Sequence, residues 1–165
     1  TKVITDTLLS YRGTHRRFDF TGYTEAGAKI IDDYAHHPTE IKATLSASKN
    51  IRHNDLWCIF QPHTYTRTKA LFDDFVDSFG MVDHLIITDI YAAREKDVYN
   101  VSSLKLEEAM QRKHPDKDIR YMADFENIAE YVGKNAGKDD IIITMGAGDV
   151  YKIGQMLRTD ESKGE

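Results

Sequence analysis

The chain has 165 residues with a formal net charge of −5, 41% hydrophobic and 30% charged residues. That is the balance of one folded domain with a real core, not of a disordered segment. No dense Lys/Arg run marks a nucleic-acid footprint, Arg16-Arg17 being a pair and not a patch. No apolar stretch approaches the roughly 20 residues of a membrane span, and no charged-then-apolar leader is visible. The single Cys58 sits in an apolar run, which excludes a disulfide framework and reads as a buried, inert thiol. The expectation is a cytoplasmic protein.

In chain order, Val3, Ile4, Leu8, Leu9 and Tyr11 have the spacing of a short amphipathic helix, with Gly13 as its stop. Arg17-Phe18-Asp19-Phe20 alternates as a strand, and Thr21-Gly22 and Ala26-Gly27 frame a turn region. Ala28 to Asp32 returns as a second strand, so a β-hairpin is expected. From there strands and helical patterns alternate. Leu56–Phe60 precedes Leu71, Phe72, Phe75, Val76 and Phe79; His84–Thr88 precedes Leu104, Leu106, Ala109 and Met110. The weaker Ile119–Met122 precedes Phe125, Ile128, Ala129 and Val132, and Ile141–Met145 precedes Val150, Ile153, Met156 and Leu157. Continuous apolar strands alternating with amphipathic helices predict an α/β fold, a Rossmann-like doubly wound and mainly parallel sheet with an N-terminal antiparallel hairpin. The tail from Thr159 to Glu165 is polar and expected to fray.

Residues able to do chemistry collect where strands end. The clusters are Asp33–Glu40, Gln61–Thr68, Asp89–Lys96 and Gly146–Asp149, each following a strand. In a parallel sheet all lie on one edge, where α/β proteins bind ligands. Polar loops are common in themselves, but these hold His, Tyr, Arg and Gly.

Pro38 suits the first position of a helix, whose first-turn N–H groups then favour an anion. Asp33 can accept from a sugar hydroxyl, the Tyr34 ring can pack on a base, and His36 or His37 can bond phosphate or carboxylate. Alternatively Asp33 caps the turn and one histidine satisfies a backbone carbonyl. Zinc held by Asp33, His36, His37 and His63 is a rival, against which stand the adjacency of two histidines and the lack of HExxH or CxxC spacing. Arg67, at the start of a helix, can clamp a carboxylate or phosphate, or else pair with Asp73 or Asp74. His63 is held extended by Pro62, Tyr65 suits either core or base stacking, and Arg94 and Glu95 can pair with each other. Gly146-x-Gly148 lets backbone approach a ligand but lacks a third glycine, and no GxxxxGK[ST] is present.

Taken together, Gly13-Thr14-His15-Arg16-Arg17-Phe18, Asp32-Asp33-Tyr34-Ala35-His36-His37-Pro38-Thr39-Glu40, Phe60-Gln61-Pro62-His63-Thr64-Tyr65-Thr66-Arg67-Thr68 and Met145-Gly146-Ala147-Gly148-Asp149 resemble the C-terminal domain of the Mur ligases. The resemblance covers essentially the whole chain. It implies residues 1–165 as a single domain, separated from an N-terminal UDP-sugar domain and a central ATPase domain that carries the P-loop and the Mg2+ ligands. It implies ATP-dependent amide formation through an acyl phosphate, with UDP-N-acetylmuramate, L-alanine and ATP as partners, in cell-wall precursor synthesis. Carried over, Asp33 resembles the carboxylate on the ATP ribose, Tyr34 and His37 residues near the nucleotide, and His36 a catalytic residue on the amino-acid and phosphate side. His63 and Arg67 resemble the pair engaging the amino-acid carboxylate or the acyl product, Arg67 with a catalytic share. Some relatives have a second Arg where this chain has Thr64. No protein ligand to a metal is assigned in this chain, and the domain alone is expected to be inactive.

Two other readings were open. Asp32-Asp33 and Asp89 imitate the acidic pocket of a receiver-like phospho-acceptor signalling domain, although the last strand leads to Gly-Ala-Gly-Asp and not Lys-Pro. An NAD-binding Rossmann enzyme is the other, and its glycines are misplaced.

Overall fold

The computed structural model describes residues 16–159. The helix expected before Gly13, the Gly13–His15 part of the first motif and residues 160–165 of the tail lie outside them. Six strands form one sheet in the order β1-β2-β6-β3-β4-β5. They are β1 (Asp19–Tyr23), β2 (Lys29–Asp33), β3 (Leu56–Phe60), β4 (His84–Ile87), β5 (Asp118–Tyr121) and β6 (Ile141–Met145). β1 is antiparallel to β2, and every other pairing is parallel. The helices are α1 (Pro38–Ser48), α2 (Tyr65–Ala70), α3 (Phe72–Val76), α4 (Ser103–Lys113), α5 (Phe125–Asn135) and α6 (Tyr151–Leu157). None of the described helices is long and apolar enough to cross a membrane.

β3 and β6 are buried at every position, as strands covered on both faces must be. Alternate residues feed two cores. Ile31, Cys58, Phe60, Leu85, Ile87 and Ile143 meet Ile41, Leu45, Phe75, Leu106 and Met110 on one face. On the other, Ile30, Trp57, Ile59, Ile86 and Ile142 meet Ile128, Val132, Ile153 and Leu157. The fold is the Rossmann-like doubly wound sheet that the alternation predicts. Cys58 is fully buried, and that burial, with Asp33 nearby, pushes its thiol pKa far up, so it is an inert core residue.

The local differences from the expected elements have physical causes. Arg17 and Phe18 are not strand. The Phe18 N–H donates to the Asp33 carboxylate at 2.8 Å and its φ is +47°, which takes it out of the ladder. β1 starts at Asp19 and continues through Thr21-Gly22, where a register shift forms a bulge. Gly22 has φ +145°, and a Cβ there would lie 2.7 Å from the Arg158 side chain. The expected helix around Leu71 is broken in two. Leu71 leaves the helical region (φ −113°, ψ 23°) and its N–H closes α2 on the Arg67 carbonyl at 2.9 Å. Leu104 and Met156, read as apolar-face positions, are about half exposed (47% and 50%), because Leu106 with Met110, and Ile153 with Leu157, already form the buried rows.

Phe60 tests the larger core. It is fully buried, with its ring centroid 5.6 Å from that of Phe75 and 5.0 Å from that of Phe79. Phe60→Ala should lower the unfolding free energy by about 3–5 kcal/mol, measured by urea denaturation. A loss below about 1 kcal/mol would mean that this core does not close around the β3 end.

Candidate functional site at the carboxyl edge of the sheet

Four adjacent parallel strands, β2, β6, β3 and β4, end side by side. Each is followed by one of the chemistry-bearing clusters, so the sheet brings all four to one edge as expected. The loops are knitted by backbone. Gly146 N–H donates to the Asp33 carbonyl (3.0 Å), Gln61 N–H to Met145 (3.0 Å), Tyr91 N–H to Pro62 (2.8 Å) and Thr64 N–H to Tyr91 (3.0 Å).

The first cluster is built differently from expectation. Asp33 is 6% exposed; its two carboxylate oxygens accept from the N–H groups of Ala35 (2.7 Å) and Phe18 (2.8 Å). The turn-capping role is thus the one this geometry realises at Asp33. His36 Nδ1–H donates to the Tyr34 carbonyl at 2.9 Å, which leaves Nε2 of a neutral ring as an acceptor. His37 is the N-cap of α1: its Nδ1 accepts from Thr39 N–H at 3.4 Å. Glu40 closes the capping box by accepting from the N–H groups of His36 and His37, both at 3.2 Å. Burial opposes ionisation of Glu40, but these bonds and the His36 ring outweigh it and lower its pKa. The expectation that the first turn of α1 offers free N–H groups to an anion is therefore corrected: the helix supplies its own anion, and Pro38 has no N–H to give. Tyr34 is 40% exposed and its ring meets that of His36 edge-on at 5.3 Å.

The second cluster brings together the predicted pair. Arg67 Nη1–H donates to His63 Nδ1 at 3.2 Å. Since a guanidinium can only donate, the neutral His63 ring carries its proton on Nε2. Partial burial, then the Arg67 charge and His36, lower the His63 pKa, which keeps the ring neutral near pH 7. The ring stacks on Tyr91 (5.6 Å, 17°) and lies 5.7 Å from the His36 ring. Among the described residues Arg67 has no ion pair with Asp73 or Asp74. The His63 ring thus holds one edge of the Arg67 guanidinium, and the remaining N–H groups of that fork are the donors a carboxylate takes.

Thr64, the N-cap of α2, has φ +62° and ψ 147°. For a β-branched residue that is an outlier costing roughly 1–3 kcal/mol, which only over-determined surroundings sustain. Glu95 does not pair with Arg94. Its carboxylate accepts from Thr66 N–H at 2.9 Å.

Sequence reasoning missed the residue that ties the edge together. Arg16 Nε–H donates to Asp32 at 2.7 Å, and its terminal nitrogens donate to the carbonyls of Gly148 (3.2 Å) and Gly146 (2.8 Å). Its guanidinium lies over the rings of Tyr34 (5.2 Å) and Tyr151 (4.7 Å). Its bonds to the glycine turn span 130 and 132 residues and leave no local signal; the one hint is a basic residue inside the first motif. The glycines also have a different use from the one expected. A Cβ on Gly148 would lie 2.4 Å from Gln61 Oε1 and 2.7 Å from Tyr91, and one on Gly146 would lie 2.7 Å from the Gln61 carbonyl. Their closeness admits protein side chains and an arginine. A cavity of about 340 Å³ beside Arg16, lined by Asp19, Thr21, Tyr151 and Arg158 among others, contains none of His36, His63 or Arg67. Those three line the strand-end edge instead.

The receiver-like alternative fails on topology. Asp32 lies within β2 and Asp89 follows β4, and these strands are separated by β6 and β3, about 14 Å apart at normal strand spacing. Asp32 is paired with Arg16 and accepts from the Thr144 hydroxyl at 2.9 Å, and Asp89 accepts from the Tyr121 hydroxyl at 2.6 Å. No acidic pocket forms. Nor do three His, Cys, Asp or Glu side chains gather as a metal site among the described residues.

Residues 16–148 match the family model "Mur ligase, glutamate ligase domain". The chain is 55% identical over 156 residues to the UDP-N-acetylmuramate–L-alanine ligase of Clostridium acetobutylicum, covering 94% of this chain and 33% of that protein. It is 53% identical over 154 residues to the enzyme of the same name from Acetivibrio thermocellus, covering 93% and 32%. The chain thus spans about a third of the length of the curated relatives it matches. Among solved structures, the UDP-N-acetylmuramate–alanine ligase of Thermotoga maritima superposes with a TM-score of 0.69 at 21% identity, over 94% of this chain and 34% of that one. A domain from a ligase of Haemophilus ducreyi, solved by itself, has a TM-score of 0.62 at 19% identity, over 86% and 96%. These structures share the fold, while the family match and the sequence identities decide kinship: the chain belongs to the Mur ligase family, as its glutamate ligase domain.

Proposed function

We propose that this chain is the C-terminal domain of a cytoplasmic UDP-N-acetylmuramate–L-alanine ligase, and that it supplies the amino-acid half of a site completed by other domains. The observation that carries the reading is the His63–Arg67 pair: an Arg with no carboxylate partner among the described residues, hydrogen-bonded to a neutral His, at the carboxyl edge of the sheet. Relatives more than half identical carry the name of that ligase over the matching third of their length.

In this reading the α-carboxylate of L-alanine accepts from the Arg67 guanidinium, which His63 Nδ1 holds in place. Its amine must lose a proton before attacking an acyl phosphate formed from the UDP-N-acetylmuramate carboxylate and ATP. His36 is the acceptor for that proton, because its Nδ1–H is held by the Tyr34 carbonyl and Nε2 is left with a lone pair. Attack forms the amide bond and phosphate leaves. Tyr34, with its exposed ring backed by Arg16, packs on the adenine. His37 borders the nucleotide from the start of α1. Asp33 reaches the ribose with the lone pairs that Ala35 and Phe18 leave unused.

The described residues offer no phosphate cradle and no carboxylate cluster for Mg2+. Both helix starts at this edge already carry an acid, Glu40 and Glu95. Phosphoryl transfer needs concentrated positive charge around the transferring group. The triphosphate and its metal are accordingly held elsewhere, and this domain closes over them as a lid.

Two outcomes test the division of labour. The 165-residue chain alone should show no alanine-dependent ATP hydrolysis in a phosphate-release assay, and measurable turnover would refute the shared site. In the full-length enzyme, Tyr34→Ala should raise the KM for ATP by about fivefold or more, the loss of roughly 1 kcal/mol of ring stacking, with the KM for alanine little changed. An unchanged KM for ATP would remove Tyr34 from the nucleotide site.

A further inference from the structure

The loops after β3 and β4 are tied at three levels. Two are backbone bonds, Tyr91 N–H to the Pro62 carbonyl and Thr64 N–H to the Tyr91 carbonyl, and they form a short parallel bridge between His63 and Tyr91. The third is a side chain: Glu95 accepts from Thr66 N–H at 2.9 Å. Glu95 reaches that position because Ala93 turns left-handed (φ +54°) and the Glu95 N–H closes on the Ala92 carbonyl at 2.9 Å. Two non-glycine residues, Thr64 and Ala93, thus hold positive φ on facing loops, and the Glu95 carboxylate joins them. The hydrogen bond from Thr66 N–H, with the polar groups of the Thr64–Thr66 turn around it, holds that carboxylate below the usual glutamate range against the effect of burial.

Thr64 is the pivot of the His63–Arg67 pair. It follows His63 directly, its hydroxyl oxygen accepts from Arg67 N–H at 3.5 Å, and its carbonyl accepts from the Thr68 hydroxyl at 2.7 Å. If Thr64 relaxed to negative φ, the His63 ring would swing from both Arg67 and the Tyr91 face. A strained conformation persists only where contacts impose it. Glu95 supplies such a contact at the Thr64–Thr66 turn, and its charge acts on His63 against the combined effect of burial, Arg67 and His36.

We propose that Glu95 is a positioning residue for the His63–Arg67 pair: its carboxylate locks the Thr64–Thr66 turn and so fixes the geometry with which the pair meets a ligand carboxylate. This rests on the reading of that pair as the amino-acid carboxylate clamp. Glu95 itself touches neither the carboxylate nor the reacting atoms. Its lock is local, formed by a half-buried side chain on a surface turn, so its removal leaves the core intact.

The test separates the lock from the clamp. NMR on the 165-residue chain follows the Thr66 amide and the titration of the His63 ring, which Arg67, His36, Glu95 and the Tyr91 phenol face. In Glu95→Gln the Thr66 amide resonance should move and the His63 midpoint should fall, since a negative charge that favours the protonated ring is gone. Glu95→Asp should restore part of both shifts. In the full-length enzyme, Glu95→Gln should raise the KM for alanine about tenfold with the KM for ATP unchanged, and the penalty should shrink in a Thr64→Gly background, because glycine holds positive φ without help. Unchanged Thr66 and His63 signals in Glu95→Gln would overturn the proposal. NMR shifts without any change in alanine use would confirm the lock and refute the clamp reading on which its functional meaning rests.

Discussion

The Arg16 guanidinium holds the working edge of this domain together. Its planar fork is suited to several simultaneous bonds of fixed direction. Here it bonds the Asp32 carboxylate and two carbonyls of the Gly146–Gly148 turn, and it lies against the rings of Tyr34 and Tyr151. Asp32 is 5% exposed and takes the Thr144 hydroxyl as well. The carboxylate and its arginine satisfy each other, and removing Arg16 would leave the buried Asp32 charge without its partner. The consequence travels. The glycine turn that Arg16 fixes packs on Gln61 and Tyr91, and Gln61 Oε1 in turn accepts from Val150 N–H at 3.2 Å. Tyr91 is the surface on which His63 stacks. Arg16, bonded to β2, is thereby linked by contacts to a ring that follows β3, two strands away.

The charges on this edge are arranged unequally. The starts of α1 and α2 would in principle attract anions, but Glu40 and Glu95 already occupy N–H groups there. A side-chain donor left without an acid partner at this edge, among the described residues, is Arg67, held by His63. That suits a small carboxylate better than a triphosphate, whose charge needs a backbone cradle and a metal. No GxxxxGK[ST] motif occurs in this chain, in keeping with the proposal that the triphosphate is held elsewhere.

Much of this was legible in the sequence, because parallel strands buried on both faces must be continuous apolar runs. Leu56–Phe60 and Ile141–Met145 could hardly be anything else. Once such strands alternate with helices, the polar clusters after them must share an edge, and the joining of His63 with Arg67 followed. What was hidden was occupancy. Donors and acceptors that looked available, the α1 N–H groups and the Asp33 carboxylate, are partnered locally. A capping box with His in place of Ser or Thr at its first position hides from the usual pattern. Strand order was equally hidden. β6, last in sequence, lies between β2 and β3, which puts the glycine turn at the centre of the edge and separates Asp32 from Asp89. Arg16 and the left-handed Thr64 depend on tertiary contacts that no local spacing encodes.

In the proposed site Arg67, presented by this domain, receives the carboxylate of the amino acid. Steady-state kinetics of the full-length enzyme carrying Arg67→Ala, with alanine and ATP varied separately, test it most directly. A charge-assisted bond of roughly 1.5–3 kcal/mol should cost about 10- to 150-fold in kcat/KM for alanine while the KM for ATP stays within about twofold. Alanine kinetics indistinguishable from the wild type would mean that Arg67 does not bind the amino acid.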